Sequence, residues 1–130
     1  MILVDSCVIV DWLRRRENPG EHLLPWLNRG EVLTCGVVRM EVLRGVLSTQ
    51  MKERVEALFD VMQEVPLTSA VLHGAADLAW SMDRKGHIIP VADVIIAQCA
   101  IVREATLVTT DDHFQRVPGL KHQKNLPPYH

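Results

Sequence analysis

The chain is predicted to be an α/β domain, a parallel sheet of short strands with helices on both faces. Short apolar runs alternate along it with segments of helical periodicity, as strands joined by crossover helices require. Residues 88–102 are apolar on almost every side, the pattern of a helix buried in a core. No internal repeat, low-complexity segment or linker divides the 130 residues, so a single domain over 1–130 with one core is expected.

Residues 2–4 form an apolar run that ends at Asp5. Val8, Ile9, Trp12 and Leu13 then recur at helical spacing, so a buried strand hands over directly to a helix. Arg14, Arg15 and Arg16 close that helix, where cations complement its dipole, and Asn18, Pro19 and Gly20 make the turn. A second helix is predicted over 21–29, stopped by Gly30, and the apolar run 32–35 is the second strand. Gly36 leads into a helix from residue 37 to about 45 that carries Glu41. Residues 50–63 set Val55, Leu58, Phe59 and Met62 on one face with charges between them, an amphipathic helix. Residues 65–67 make a minimal third strand, which Pro66 confines to an edge. Thr68 or Ser69 caps a long helix that continues past Trp80 until Lys85 and Gly86 end it. Pro90 suits the first turn of the buried helix, which carries Asp93 near its start. Residues 106–109 are the fourth strand, and Asp111 precedes a short helical turn reaching Arg116. A last strand is expected at 120–122, and 127–130 are expected to form a loose tail.

Hydrophobic residues at 48% and charged residues at 23% exclude general disorder. A net charge of -2 supplies no global basic field, so any polyanion must be met by a local group of cations. Cys7, Cys35 and Cys99 are far apart and in apolar contexts, which reads as three core thiols rather than a disulfide framework or a zinc site. His22, His73, His87, His113, His122 and His130 show no ligand spacing and are expected on the surface or behind a site. The start of the chain has no basic leader, and no apolar run reaches the roughly 18 residues of a membrane span. A cytoplasmic protein with no membrane partner is expected.

An ionised carboxylate on a buried helix must be paired, hydrogen-bonded or bound to a metal, and Asp93 is such a group. Asp5 ends the first strand, Glu41 lies on the helix after the second, and Asp111 follows the fourth. In a parallel sheet, ligands bind beyond the carboxyl ends of the strands. Four acids meeting there would repel one another without a cation, and an all-oxygen set favours Mg²⁺ or Mn²⁺ over zinc. Each acid also has a local role open to it. Asp5 or Ser6 can cap the first helix, Asp93 can complement a helix dipole, Asp111 or Asp112 can cap the last turn, and Glu41 can be a solvated helix residue.

The segments MILVDSCVIVDWL, RMEVLRG, PVADVIIAQCA and LVTTDDHF, in this order and over essentially the whole chain, resemble the PIN domain. Within that family the likeness is to the toxin nucleases of bacterial toxin–antitoxin pairs. The resemblance implies a five-stranded parallel sheet in order 3-2-1-4-5. It implies a catalytic set of Asp5, Glu41, Asp93 and Asp111, with Mg²⁺ or Mn²⁺ held by Asp5, Asp93 and Asp111 and supported by Ser6, Thr109 and Asp112. Where relatives often carry an acid just before the Phe, this chain has His113, while Asp112 stands beside Asp111, so either aspartate can be the one that faces the cation. The implied activity is metal-dependent endoribonucleolytic hydrolysis of RNA. The implied partners are the RNA substrate, a cognate antitoxin protein and a second copy in a homodimer. Arg39 and Arg44 flank Glu41 and are candidates for drawing RNA inward, although a helix salt bridge is the preferred reading of each. The alternative function is a catalytically silent PIN-like module that binds RNA or protein. A phospho-acceptor receiver domain fits less well, because residues 66–68 offer no acceptor carboxylate.

Overall fold

Ile2, Leu3 and Val4 are all buried, although successive strand residues point to opposite faces, so this strand is covered on both sides. In the computed structural model, which describes residues 1–129, the elements run in the order β1 (Ile2–Val4), α1 (Ser6–Arg14), α2 (Pro19–Asn28), β2 (Val32–Thr34), α3 (Gly36–Leu43), α4 (Thr49–Asp60), β3 (Gln63–Glu64), α5 (Ser69–Arg84), α6 (Val91–Val102), β4 (Thr106–Val108) and β5 (Lys121–Gln123). A 3₁₀ turn, Asp112–Arg116, joins β4 to β5. The five strands form one parallel sheet in the order β3-β2-β1-β4-β5. The order reverses at β1, which pairs Ile2 with Val32 on one side and with Thr106 on the other. The ends of β1 and β4 therefore lie side by side at the place where a parallel sheet opens a crevice.

The core gathers Leu3, Ile9, Leu23, Leu33, Val38, Phe59, Ile96, Leu107 and Phe114, all essentially inaccessible. The helix α6 lies deepest, burying Val94, Ile96, Ala97, Cys99 and Ala100 together with Asp93. It packs closely on α5 because Gly74 has no Cβ; one there would collide with the Gln98 side chain.

Several boundaries differ from the sequence reading, each for a local reason. The third strand lies at Gln63–Glu64 rather than 65–67, because an edge strand needs only backbone partners and Pro66 has no N–H to extend the ladder. The Val65 N–H still donates to the Thr34 carbonyl at 2.8 Å, while its side chain turns into the core. The helix α4 correspondingly ends at Asp60 rather than 63, and it starts at Thr49, with Ser48 accepting from the Met51 N–H at 3.1 Å. Pro19 and Gly20 belong to the first turn of α2, since Asn18 caps it at the Gly20 N–H and Pro suits the opening turn. The last strand sits one residue later than expected. The tail, read as loose, is anchored at Tyr129, whose ring meets Trp26 edge-on at 5.2 Å and lies under the Arg29 guanidinium. Residue 130 lies outside the described residues. Among the described residues, no helix is long and apolar enough to cross a membrane.

Ile96→Ala, at a fully enclosed position on α6, should cost about 2–5 kcal/mol in urea unfolding, whereas Leu47→Ala, at a fully exposed one, should change stability by no more than about 0.5 kcal/mol. Equal effects would contradict this placement of the core.

Candidate active site

The carboxyl end of the central strand delivers Asp5 into the crevice beside β4, and the backbone N–H of Asp5 extends the ladder to the Val108 carbonyl at 2.9 Å. Its side chain is 3% exposed and fully engaged. Oδ1 accepts from the Ser6 N–H at 2.8 Å, which makes Asp5 the cap of α1, and Oδ2 accepts from Thr109 Oγ1 at 2.7 Å and from Cys7 Sγ at 3.3 Å. Capping and membership of the acid group are thus both true of Asp5. Ser6 Oγ donates to Glu41 Oε1 at 3.1 Å and so ties α3 to the same edge.

Asp93, in the first turn of α6, is 9% exposed. Its Oδ2 lies 2.8 Å from His113 Nδ1. Asp111 caps the 3₁₀ turn through the His113 N–H at 2.9 Å, its Oδ1 lies 3.2 Å from His113 Nδ1, and its own N–H donates to Thr109 Oγ1 at 3.0 Å. A chain of contacts therefore runs from Asp5 through the Thr109 hydroxyl to Asp111, and from Asp111 through His113 to Asp93. Asp112 is exposed and bonds Gln115 at 3.2 Å, so Asp111 is the aspartate of the pair that joins the others.

The electrostatics are those of crowded acids. Burial raises the proton affinity of Asp93, the charges of Asp111 and Asp5 raise it further, and the His113 bond offsets part of the effect. Burial likewise raises Glu41, with the charges of Asp5 and Asp93 adding and the Ser6 bond and Arg44 opposing. The bond to Asp93 is the main reason that His113 holds its proton more tightly than usual. Among the described residues, no Lys or Arg pairs directly with Asp5, Glu41, Asp93 or Asp111. One atom each from Asp93, Asp111 and His113 lie within 4.8 Å of one another. Oxygen-rich donors that converge with no Lys or Arg to neutralise them fit a divalent cation.

The arginines read beside Glu41 separate. Arg39 turns toward α4 and β3, meeting Asp60 at 3.0 Å and Glu64 at 3.9 Å with its guanidinium over the Phe59 ring, so its ion pairs cross to other elements instead of forming the expected bridge within its own helix. Arg44 is exposed and acts on Glu41 by its charge. Two residues at the site were not among those read from the sequence. His113, read with the other histidines as on the surface or behind a site, touches both Asp93 and Asp111, and the signal for it is its place two residues after a turn-capping aspartate. Cys7, read as a core thiol, is half-buried and donates to Asp5. Cys35 and Cys99 are buried as expected.

A family model described as the PIN domain matches residues 2–120. No curated protein sequence matches the chain. Among solved structures, a chain of VapBC2 from Rickettsia felis, bound to a DNA fragment from their promoter, superposes with a TM-score of 0.77 at 21% identity, covering 95% of this chain and 98% of that one. FitAcB from Neisseria gonorrhoeae gives 0.73 at 24% identity over 94% and 96% of the two chains. A toxin–antitoxin complex from Klebsiella pneumoniae gives 0.70 at 15% identity over 92% and 95%. At these identities the likeness shows a shared fold.

Asp93, Glu41 and His113 all bind protons more tightly in the folded chain than in the unfolded one. The folded state then carries the extra protons, so these groups lower stability as pH rises. For the carboxylates the loss begins near their ordinary values of about 4, and for His113 the stabilising bond is complete below about 6.5 and is lost above its raised value. In chelator-treated protein, Asp93→Asn should therefore gain in Tm on the wild type between about pH 5 and about pH 8. A difference that stays constant, or that shrinks as pH rises, would contradict the assignment.

Proposed function

Because the chain belongs to the PIN domain family, we propose that it is a divalent-metal-dependent endoribonuclease, the toxin of a toxin–antitoxin pair, acting in the cytoplasm. The observation that carries the proposal is the chain of hydrogen bonds that links Glu41, Asp5, Asp111 and Asp93 through Ser6, Thr109 and His113, with no Lys or Arg pairing to these acids among the described residues. Asp5, Asp93 and Asp111 would hold Mg²⁺ or Mn²⁺, and such an ion supplies charge neutralisation and Lewis-acid activation of water at the phosphate.

The chain's own groups do the positioning. Ser6 N–H and Thr109 Oγ1 fix the Asp5 carboxylate from two sides, so its rotamer is set before any ligand arrives. Ser6 Oγ orients Glu41, whose raised proton affinity suits it to accept the proton of the attacking water. The water adds in line to phosphorus, the bond to the 3′ oxygen breaks, and the products carry a 5′-phosphate and a 3′-hydroxyl. Arg44, exposed at the rim, is assigned to the RNA phosphates, while Arg39 is already engaged with Asp60 and Glu64. A small antitoxin as inhibitor is supported by a fold shared with chains of VapBC2 and of the Klebsiella toxin–antitoxin complex, and a second copy of the chain is proposed as dimer partner.

Total RNA incubated with antitoxin-free protein and Mn²⁺ should show a few sharp new 5′-monophosphate ends. Asp5→Asn and Asp93→Asn should each lower their yield by about a hundredfold or more, since loss of an outer partner of a metal ligand alone costs about 10–100-fold. Full cleavage by a folded Asp93→Asn protein would refute the assignment, and no cleavage by the wild type would favour a silent binding module.

A further inference from the structure

His113 is the one residue of the acid group that offers nitrogen. Its Nδ1 lies 2.8 Å from Asp93 Oδ2 and 3.2 Å from Asp111 Oδ1. Adjacent ligand atoms on a cation with bonds of about 2.1 Å are separated by about 3.0 Å, so each distance is that of two donors to one ion, and the three donor atoms lie within 4.8 Å of one another. The pocket wall is closed on one side and open on the other, with side-chain exposures of 12% for Asp93, 35% for Asp111 and 50% for His113. The remaining coordination positions would face solvent, as a reactive site requires. The turn bearing the ring is fixed by the bond from the His113 N–H to Asp111 and by Phe114, buried in the core.

We infer that His113 Nδ1, Asp93 and Asp111 together form a three-donor face that selects a first-row transition cation such as Mn²⁺ over Mg²⁺. This rests on the metal-dependent reading of the same pocket. Imidazole suits transition cations, whereas Mg²⁺ takes oxygen donors and keeps much of its water. Two carboxylates and one imidazole therefore discriminate where an all-carboxylate face does not. Binding displaces to solvent the proton that Nδ1 shares with Asp93.

The test uses the full chain, stripped of metal by chelation, in wild-type, His113→Asp and His113→Gln forms, with folding checked by circular dichroism. Mn²⁺ and Mg²⁺ are titrated separately by calorimetry, and the Mn²⁺-loaded proteins are measured by pulsed electron paramagnetic resonance for ¹⁴N coupling. The wild type should show imidazole ¹⁴N coupling that both variants lose. The ratio of Mn²⁺ to Mg²⁺ affinity should fall by about tenfold or more in His113→Asp, comparable to losing one metal-directing contact. Mn²⁺ bound without ¹⁴N coupling, or a ratio unchanged in His113→Asp, overturns the inference and leaves a metal-dependent nuclease intact. Coupling present in a wild type that cleaves no RNA upholds this inference and overturns the nuclease instead. No Mn²⁺ binding at all overturns both.

Discussion

A carboxylate buried at the end of the central strand governs the arrangement of everything around it. Asp5 is more enclosed than most of the protein's apolar side chains, and among the described residues no lysine or arginine pairs with it. What keeps it there is a set of directed hydrogen bonds: a helix N-terminal amide, a threonine hydroxyl just past the neighbouring strand and a thiol in the same first turn. The hydroxyl depends on the sheet being in register, since Thr109 stands beside Asp5 only because Val4 pairs with Val108. An unpaired buried charge is so costly that these contacts act as a constraint on topology as well as on the site.

The other acids are arranged by the same means. Ser6 joins Glu41 to the cap of α1, Thr109 joins Asp111 to Asp5, and His113 joins Asp111 to Asp93. Small hydroxyls and one imidazole thus do what arginines do in an ordinary salt-bridge network. They set orientation while leaving the negative charge largely uncompensated, so the pocket stays attractive to a dication.

The parallel architecture and the positions of the acids were legible because both follow from local pattern. Apolar runs at residues 2–4, 32–34 and 106–108 mark buried strands, and an acid after such a run lies at the open edge. For the third strand, apolarity points to Val65 and Leu67, whereas the strand lies at Gln63 and Glu64, which are exposed and pair by backbone alone. The sequence leaves His113 on the surface or behind a site, since its contact with Asp93 depends on the path of a 3₁₀ turn and on a ring orientation that periodicity does not encode. The choice between Asp111 and Asp112 has the same origin: the turn directs one inward and the other to solvent. The anchoring of Tyr129 on Trp26 joins residues a hundred positions apart and left no local trace.

The strand order has a consequence for synthesis of the chain. The central strand is made first, yet one of its two partners, β4, starts only at residue 106. Parallel pairing over such a separation is slow, because loop closure comes before any reward from contact. While the ribosome is still translating, Asp5 and Glu41 can emerge without Asp93, Thr109 or Asp111, and no assembled acid group exists on the nascent chain. Whatever the pocket binds, its acids come together only after Asp111 has left the exit tunnel and β4 has taken its place beside β1.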